Sequence, residues 1–240
     1  MKPAARIARR DWLRLAAALP ALAALAVCPA WAEGDDISAA EKALFVENHL
    51  AGLLPPLELA YRFSRRGSLE PELDDRVTLR LKARADGGCC SAQASFLSGA
   101  ERVELPEVEA AQGNPVILNF LERDVREMQR RTKGQSAYFR KRIRMALAQS
   151  ATLRPLTLPY AGRSVAAREI EIAPYLEDPL RARFEALAGK RYLFTLAPAV
   201  PGGVYAIATR VPGASAGAPP LVAEELLADA ATSTLARLAR

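Results

Sequence analysis

Two stretches of strict alternation between apolar and polar residues constrain the fold of this chain more than any other feature. Residues 57–63 (LELAYRF) and residues 76–83 (RVTLRLKA) both carry apolar side chains at every second position. A period of two is typical of a β-strand that buries one face. Two such strands in succession predict an antiparallel sheet with one buried face.

A pair of helices is predicted in the middle of the chain. Asn114 is a suitable N-cap residue and is followed by Pro115 at the first helical position, and we expect this helix to end at Gly134. A second helix is predicted after Ser136, with Phe139 on its buried side. The two helices would form a hairpin.

Further elements are predicted on both sides of the helices. The additional strands are 89–97, 156–160, a strand through Ile170 and Ile172, 192–196, and a strand that starts at Val204. A short helix is predicted between Asp178 and Gly189. The last twenty residues fit either a loose helix or a final strand.

Strands that occur in runs, with helices between the runs, predict the α+β class rather than an alternating parallel sheet. We expect a curved, half-barrel-like antiparallel sheet packed on the central helical hairpin. The expected domains are 1–32 as a cleaved signal peptide, 33–211 as a single α+β domain, and 212–240 as a Pro/Ala/Gly linker with a C-terminal segment.

The first 32 residues have the pattern of a secretory signal peptide. A basic head precedes an apolar run from Leu13 to Val27, and Ala30-Trp31-Ala32 forms a cleavage site before Glu33. The run is shorter than the roughly 20 residues that a membrane-spanning helix needs. Arg9-Arg10 resembles the twin-arginine export signal, but the general secretory route is favoured. The predicted location is the periplasm.

Cleavage also changes the charge of the protein. The removed segment holds five basic residues and one acidic residue, so the formal surplus falls from +6 to +2. A large basic surplus would favour nucleic acid as a partner. Because most of that surplus lies in the discarded segment, nucleic acid is not an expected partner.

Cys89 and Cys90 would be the remaining cysteines of the mature chain. In an oxidising compartment an adjacent pair cannot close a long loop by a disulfide. The alternatives are two structural thiols, a disulfide between the neighbours, a bond to another chain, or ligation of a soft metal. On a strand, Cys90 shares a face with Phe96 and would point inward.

The familiar catalytic motifs lack their structural context in this sequence. His49 is the only histidine, which excludes a multi-histidine zinc site. The segment 213–217 matches G-x-S-x-G but lies in the predicted linker. The neighbouring acids at 74–75 and 224–225 are expected to be solvated. We therefore expect a protein that is not an enzyme and that uses no cofactor.

The predicted helical hairpin carries the strongest local charge, with nine basic residues against three acids between residues 122 and 144. The spacing of Glu122 to Arg126 and of Glu127 to Arg131 favours ion pairs along the helix. A solvated face, an acidic partner and anionic lipid head groups all fit this charge. The basic residues are Arg123, Arg126, Arg130, Arg131, Lys133, Arg140, Lys141, Arg142 and Arg144.

Four segments, 113–128, 138–140, 190–192 and 200–205, resemble uncharacterised secreted proteins of proteobacteria. The resemblance extends from about residue 47 to residue 211. The order of strands, helical hairpin and strands also resembles the periplasmic half-barrels that carry lipoproteins or lipids, and this second likeness concerns architecture alone. It implies a lipid or an envelope protein as a partner.

These features predict a periplasmic binding or envelope-assembly protein that holds an apolar or lipid ligand in its interior. The basic hairpin would dock an envelope protein or an anionic membrane surface. The alternative is a redox or metal-binding protein that uses Cys89 and Cys90. Plain core packing is favoured over ligand contact for each of the residues that would line the interior, which are Tyr61, Phe63, Phe96, Tyr192 and Phe194.

Overall fold

The structure is a computed structural model of the chain, and it describes residues 37–99, 102–215 and 217–232. The predicted signal peptide, residues 1–32, lies outside the described residues, and so does the end of the chain after residue 232.

Nine strands in the described ranges form one sheet in which every pairing is antiparallel, in the order β4-β3-β2-β1-β9-β8-β7-β6-β5. The sheet is open, with β4 and β5 at its two edges. The strands are β1 (Leu57–Arg66), β2 (Leu73–Ala83), β3 (Cys89–Phe96), β4 (Val103–Glu104), β5 (Thr152–Tyr160), β6 (Arg163–Ile172), β7 (Arg191–Leu196), β8 (Val204–Val211) and β9 (Val222–Ala228).

The helices are α1 (Ala39–Glu41), which continues as a π-helical turn to Val46, α2 (Pro115–Thr132) and α3 (Ser136–Gln149). Strands and helices in this arrangement confirm the α+β class with an antiparallel sheet. Curvature of the sheet into a half-barrel around a central helical hairpin stays a prediction.

β9 lies in the interior of the sheet, although its segment was expected to follow the domain. Leu226 pairs with Phe63 of β1 on one side and with Ile207 of β8 on the other. Every residue of β9 is buried. The predicted domain boundary at residue 211 is therefore wrong. The domain continues at least to Ala228, because β9 supplies backbone hydrogen-bond partners to both of its neighbours.

The start of α2 is fixed by Asn114, as its N-cap signature predicts. The side-chain oxygen of Asn114 accepts a hydrogen bond from the Val116 backbone N–H at 3.1 Å. Its amide nitrogen donates to the Tyr61 hydroxyl and to the Gly202 carbonyl, both at 2.8 Å. Gly202 has a φ of +79°, and a Cβ there would lie 2.5 Å from the Leu59 side chain. This contact set joins α2 to β1 and to the turn before β8.

The end of α2 differs from the prediction. The helix stops at Thr132, and Lys133, not Gly134, takes the left-handed conformation with a φ of 57°. Gly134 serves close packing instead, since a Cβ there would lie 2.7 Å from the Phe139 ring. Phe139 in turn packs against Phe184 and Tyr175, with ring centroids 5.6 and 5.8 Å apart.

The segment predicted as a short helix between Asp178 and Gly189 forms two 3-10 turns, Arg181–Arg183 and Glu185–Gly189. Glu185 has a φ of 50°, which interrupts a regular helix at that point.

Two prolines lie on the edge strand β5, whose last residue, Tyr160, bridges to Ala231. Pro155 and Pro159 are four residues apart, so they have the same strand parity, and they pair with Arg168 and Ser164 of β6. A proline inside a strand is accommodated where its missing N–H would face away from the neighbouring strand. The prolines therefore remove donors from the side of β5 that a further strand would approach.

Candidate functional site

The five aromatic residues that were expected to line an apolar interior lie in the packed core. Their side chains are at most 1% exposed and belong to one continuous apolar cluster. Phe96 is one of the residues that line a groove between α2 and the sheet. The five residues are Tyr61, Phe63, Phe96, Tyr192 and Phe194. A ligand-lining role for the other four stays a prediction.

Phe96 lies at the floor of a groove between α2 and the β3–β4 end of the sheet, which we call the α2 groove. The groove has a volume of about 180 Å³. Its floor is apolar and consists of Phe96, Val103 and Leu105. Its wall is one stripe of α2, because residues three and four apart lie on the same side of a helix. The remaining lining residues are Asn119, Glu122, Arg123, Arg126, Glu127, Arg130 and, from β1, Arg65.

Several basic residues of α2 and α3 are already paired with acidic residues of the same chain. Five of the nine form ion pairs within the described chain: Arg123, Arg130, Arg131, Arg140 and Arg142. The predicted pair of Glu127 and Arg131 is confirmed. The predicted pair of Glu122 and Arg126 is wrong, since Glu122 accepts two hydrogen bonds of 2.7 Å from Arg140 on α3.

Arg123, which lines the groove, forms an ion pair with a buried carboxylate. Its guanidinium donates two hydrogen bonds to the Glu224 carboxylate of β9, at 2.5 and 3.0 Å. It also lies 4.7 Å from the centre of the Phe63 ring, within the range of a cation–π contact. One lining guanidinium of the groove is therefore fixed, because the bidentate pair and the Phe63 ring hold this side chain in place.

Glu224 and Glu225 were expected to be solvated, and this prediction is wrong. Glu224 is 1% exposed and Glu225 is 3% exposed. Burial raises the pKa of the Glu224 carboxyl, and the charges of Arg123 and Lys190 oppose that shift. β9 was not recognised as a central strand, so nothing in the residue types alone indicated that these acids are enclosed.

A second ion pair that involves α2 is fully buried. Asp124 of α2 is paired with the Lys190 ammonium, and both side chains are at most 4% exposed. The Tyr192 hydroxyl donates to the other oxygen of Asp124 at 2.5 Å, and the Tyr175 hydroxyl lies 3.3 Å from that of Tyr192. Burial and then the Asp124 charge raise the pKa of Tyr192, so this hydroxyl keeps its proton.

The sequence of α2 contains one indication of this network, an acidic residue on its apolar stripe. Asp124 lies three and four residues from Leu121 and Phe120, on the apolar stripe of α2. A carboxylate on a buried stripe requires a partner, since an unpaired buried charge is strongly unfavourable. The identity of that partner, Lys190, depends on the tertiary fold.

Cys89 and Cys90 are joined to each other by a disulfide. Of the alternatives left open, the structure thus shows the bond between neighbours. Cys90 is fully buried, as its strand position predicts, whereas Cys89 is exposed. Neither cysteine lines the α2 groove. In the described ranges no group of three or more His, Cys, Asp or Glu side chains is arranged to hold a metal.

His49 has a structural role beside α2. Its Nδ1 accepts a hydrogen bond of 3.1 Å from the Asn114 backbone N–H, and its Nε2 lies 2.8 Å from the Ala43 carbonyl. Accepting at one nitrogen and donating at the other requires the neutral ring. Burial lowers the pKa of His49, and this also favours the neutral form of the ring.

Two other depressions in the described chain are larger and shallower than the α2 groove. One, of about 430 Å³, is bordered by polar side chains such as Arg84, Asp86 and Glu107. The other, of about 350 Å³, lies between α3 and residues 173–177. Neither combines a buried aromatic floor with arginines, so the α2 groove is the candidate site.

No protein-family model matches the chain, and no curated protein matches it in sequence. Among solved structures, the lipoprotein LppX of Mycobacterium tuberculosis aligns with 73% of this chain and 86% of its own, at 9% identity and a TM-score of 0.29. The resemblance to secreted proteobacterial proteins stays a prediction. None of the helices in the described ranges is both long and apolar enough to span a bilayer.

Proposed function

We propose that this protein is an exported, non-catalytic binding protein that holds an amphipathic ligand in the α2 groove. The observation that carries the proposal is the composition of the groove, in which an apolar floor lies against a polar wall of three arginines, two glutamates and one asparagine of α2. Binding sites for small molecules combine apolar surface with a few fixed polar groups in this way.

The charge state of the groove carboxylates favours binding over turnover. Hydrogen bonds from Arg140 lower the pKa of Glu122. Burial acts to raise the pKa of Glu127, but Arg130 and Arg131 outweigh it and lower that pKa. A general acid or base works best when its pKa lies near the working pH. Two carboxylates held ionised by arginines are poorly suited to proton transfer at neutral pH.

The size of the groove indicates how much of a ligand it would enclose. Its volume of about 180 Å³ is below the roughly 300–1,000 Å³ of pockets that bury a whole small molecule. The proposed ligand would therefore place one apolar segment on Phe96, Val103 and Leu105, and the rest would stay at the surface.

Export to the periplasm is part of the same proposal. It is supported by the signal-peptide pattern of residues 1–32 and by the disulfide between Cys89 and Cys90, since disulfides persist in oxidising compartments.

Asn119→Trp is expected to weaken binding of the neutral apolar dye N-phenyl-1-naphthylamine by at least about tenfold, because an indole would fill the groove beside Phe96. Leu118→Trp is the matched control, since Leu118 is the preceding residue of α2, is 55% exposed and does not line the groove. Dye fluorescence during titration with each purified protein measures the affinity.

Wild-type protein that does not bind the dye would refute the proposal, and equal weakening by both tryptophan variants would place the dye elsewhere. The alternative function, redox chemistry at Cys89 and Cys90, is supported by the disulfide alone. Dithiol reduction in the same assay separates the two, because loss of dye binding on reduction would favour the cysteines. We expect reduction to leave dye binding unchanged.

A further inference from the structure

We propose that the ligand of the α2 groove carries an anionic oxygen head group, a carboxylate or a phosphate, which binds to Arg126. This inference rests on the proposed function and specifies the class of ligand. It follows from how the charges around the groove are paired.

The carboxylates near the groove are already occupied by other arginines. Glu122 accepts both of its hydrogen bonds from Arg140. Glu127 and Glu70 are shared by Arg130 and Arg131. These pairs saturate the acidic side chains of the wall with guanidinium groups that are not Arg126.

Of the three arginines that α2 contributes to the wall, Arg123 and Arg130 are paired with carboxylates, and Arg126 is the one for which the described chain supplies no hydrogen-bonded carboxylate. Its charge reaches Glu122 only at a distance, as a minor influence that lowers the pKa of that carboxyl. The side chain is exposed and lies one helical turn from both Arg123 and Arg130. The α2 wall therefore presents one exposed guanidinium that is not paired with a carboxylate of the described chain.

Arg126 and the apolar floor line the same groove, so one amphiphile could contact both. Val103 and Leu105 are half-buried and form the apolar floor next to it. An alkyl chain on this floor would bring its polar end to the helix stripe that contains Arg126. A guanidinium is weakly hydrated and binds carboxylate or phosphate oxygens through two parallel hydrogen bonds, so an anion is favoured there over a neutral or cationic group.

The test compares three ligands with ten-carbon chains that differ in the head group: decanoate, decanol and decyltrimethylammonium. Each competes with N-phenyl-1-naphthylamine at concentrations below micelle formation. Decanoate is expected to bind wild-type protein at least about tenfold more tightly than decanol, since a charged partner strengthens the hydrogen bonds. Arg126→Glu and the milder Arg126→Gln are expected to abolish this preference and to leave decanol binding unchanged.

Arg144→Glu is the matched control, because Arg144 is exposed on α3, lies outside the groove and undergoes the same change of charge. Equal affinity of wild-type protein for decanoate and decanol would overturn the head-group inference and leave the proposed function intact. Equal weakening of decanoate by Arg126→Glu and Arg144→Glu would also overturn it, since a general electrostatic effect would then suffice. Failure of all three ligands to displace the dye would count against the proposed function itself.

Discussion

Lys190→Met is expected to lower the free energy of unfolding by about 3–5 kcal/mol, because it leaves the Asp124 carboxylate buried without its cation. Methionine keeps most of the volume of the lysine side chain, so the loss reports on charge rather than on packing. Asp124 is fully buried and lies on the face of α2 that packs in the core. Chemical denaturation of the purified variant measures the change.

Two further variants show whether the loss of stability comes from the buried, unpaired charge. The double variant Asp124→Leu with Lys190→Met is expected to recover at least half of the lost stability, since an apolar pair can replace a buried ion pair. Arg140→Met, which breaks the exposed pair with Glu122, is expected to cost less than about 1 kcal/mol. A Lys190→Met protein as stable as the Arg140→Met protein would show that Asp124 is not enclosed with Lys190.

Leu226→Pro is expected to remove at least about 4 kcal/mol of stability or to abolish cooperative unfolding. Leu226 is fully buried in the middle of β9, where a proline removes a backbone donor and the leucine side chain leaves a void. Domains of this size have a total stability of about 5–15 kcal/mol. Thermal unfolding followed by circular dichroism measures the effect.

Thr157→Pro in β5 is the matched control for Leu226→Pro. Thr157 has the same strand parity as Pro155 and Pro159, so its N–H is expected on the free edge of the sheet. We expect this substitution to cost less than about 1 kcal/mol. If Leu226→Pro unfolded as cooperatively as wild-type protein and within 1 kcal/mol of it, β9 would not be an interior strand.

The local patterns in the sequence predicted the elements that bury a single face. Alternation placed Tyr61 and Phe63 on the inner side of β1, and capping chemistry placed the start of α2 after Asn114. These predictions succeed because a half-buried strand and an N-cap each depend on residues close in sequence.

β9 could not be recognised in the same way. Its sequence, VAEELLA, consists largely of alanine, glutamate and leucine, which favour helices over strands. Both faces of the strand are buried, so no alternation marks it. Its two glutamates are buried with partners provided by the fold: Glu224 pairs with Arg123, and Glu225 also has an interaction partner.

The sequence predicted parts of the candidate site, but not that they lie together. The basic stripe of α2 and the burial of Phe96 were both expected, but they were assigned to separate surfaces. Their union in one groove depends on the approach of α2 to the β3–β4 end of the sheet, which no spacing along the chain specifies. Arg126 is left without the Glu122 carboxylate because Arg140 of α3 binds Glu122 instead. The sequence spacing on α2 alone does not show this.

A titration of the isotope-labelled protein with decanoate, followed by two-dimensional ¹H–¹⁵N NMR, tests directly whether the α2 groove is the binding site. We expect saturable shifts that are largest for the backbone amides of residues 103–105 and 119–130. Shifts centred instead on α3 and residues 173–177, or no saturable shifts at all, would contradict it.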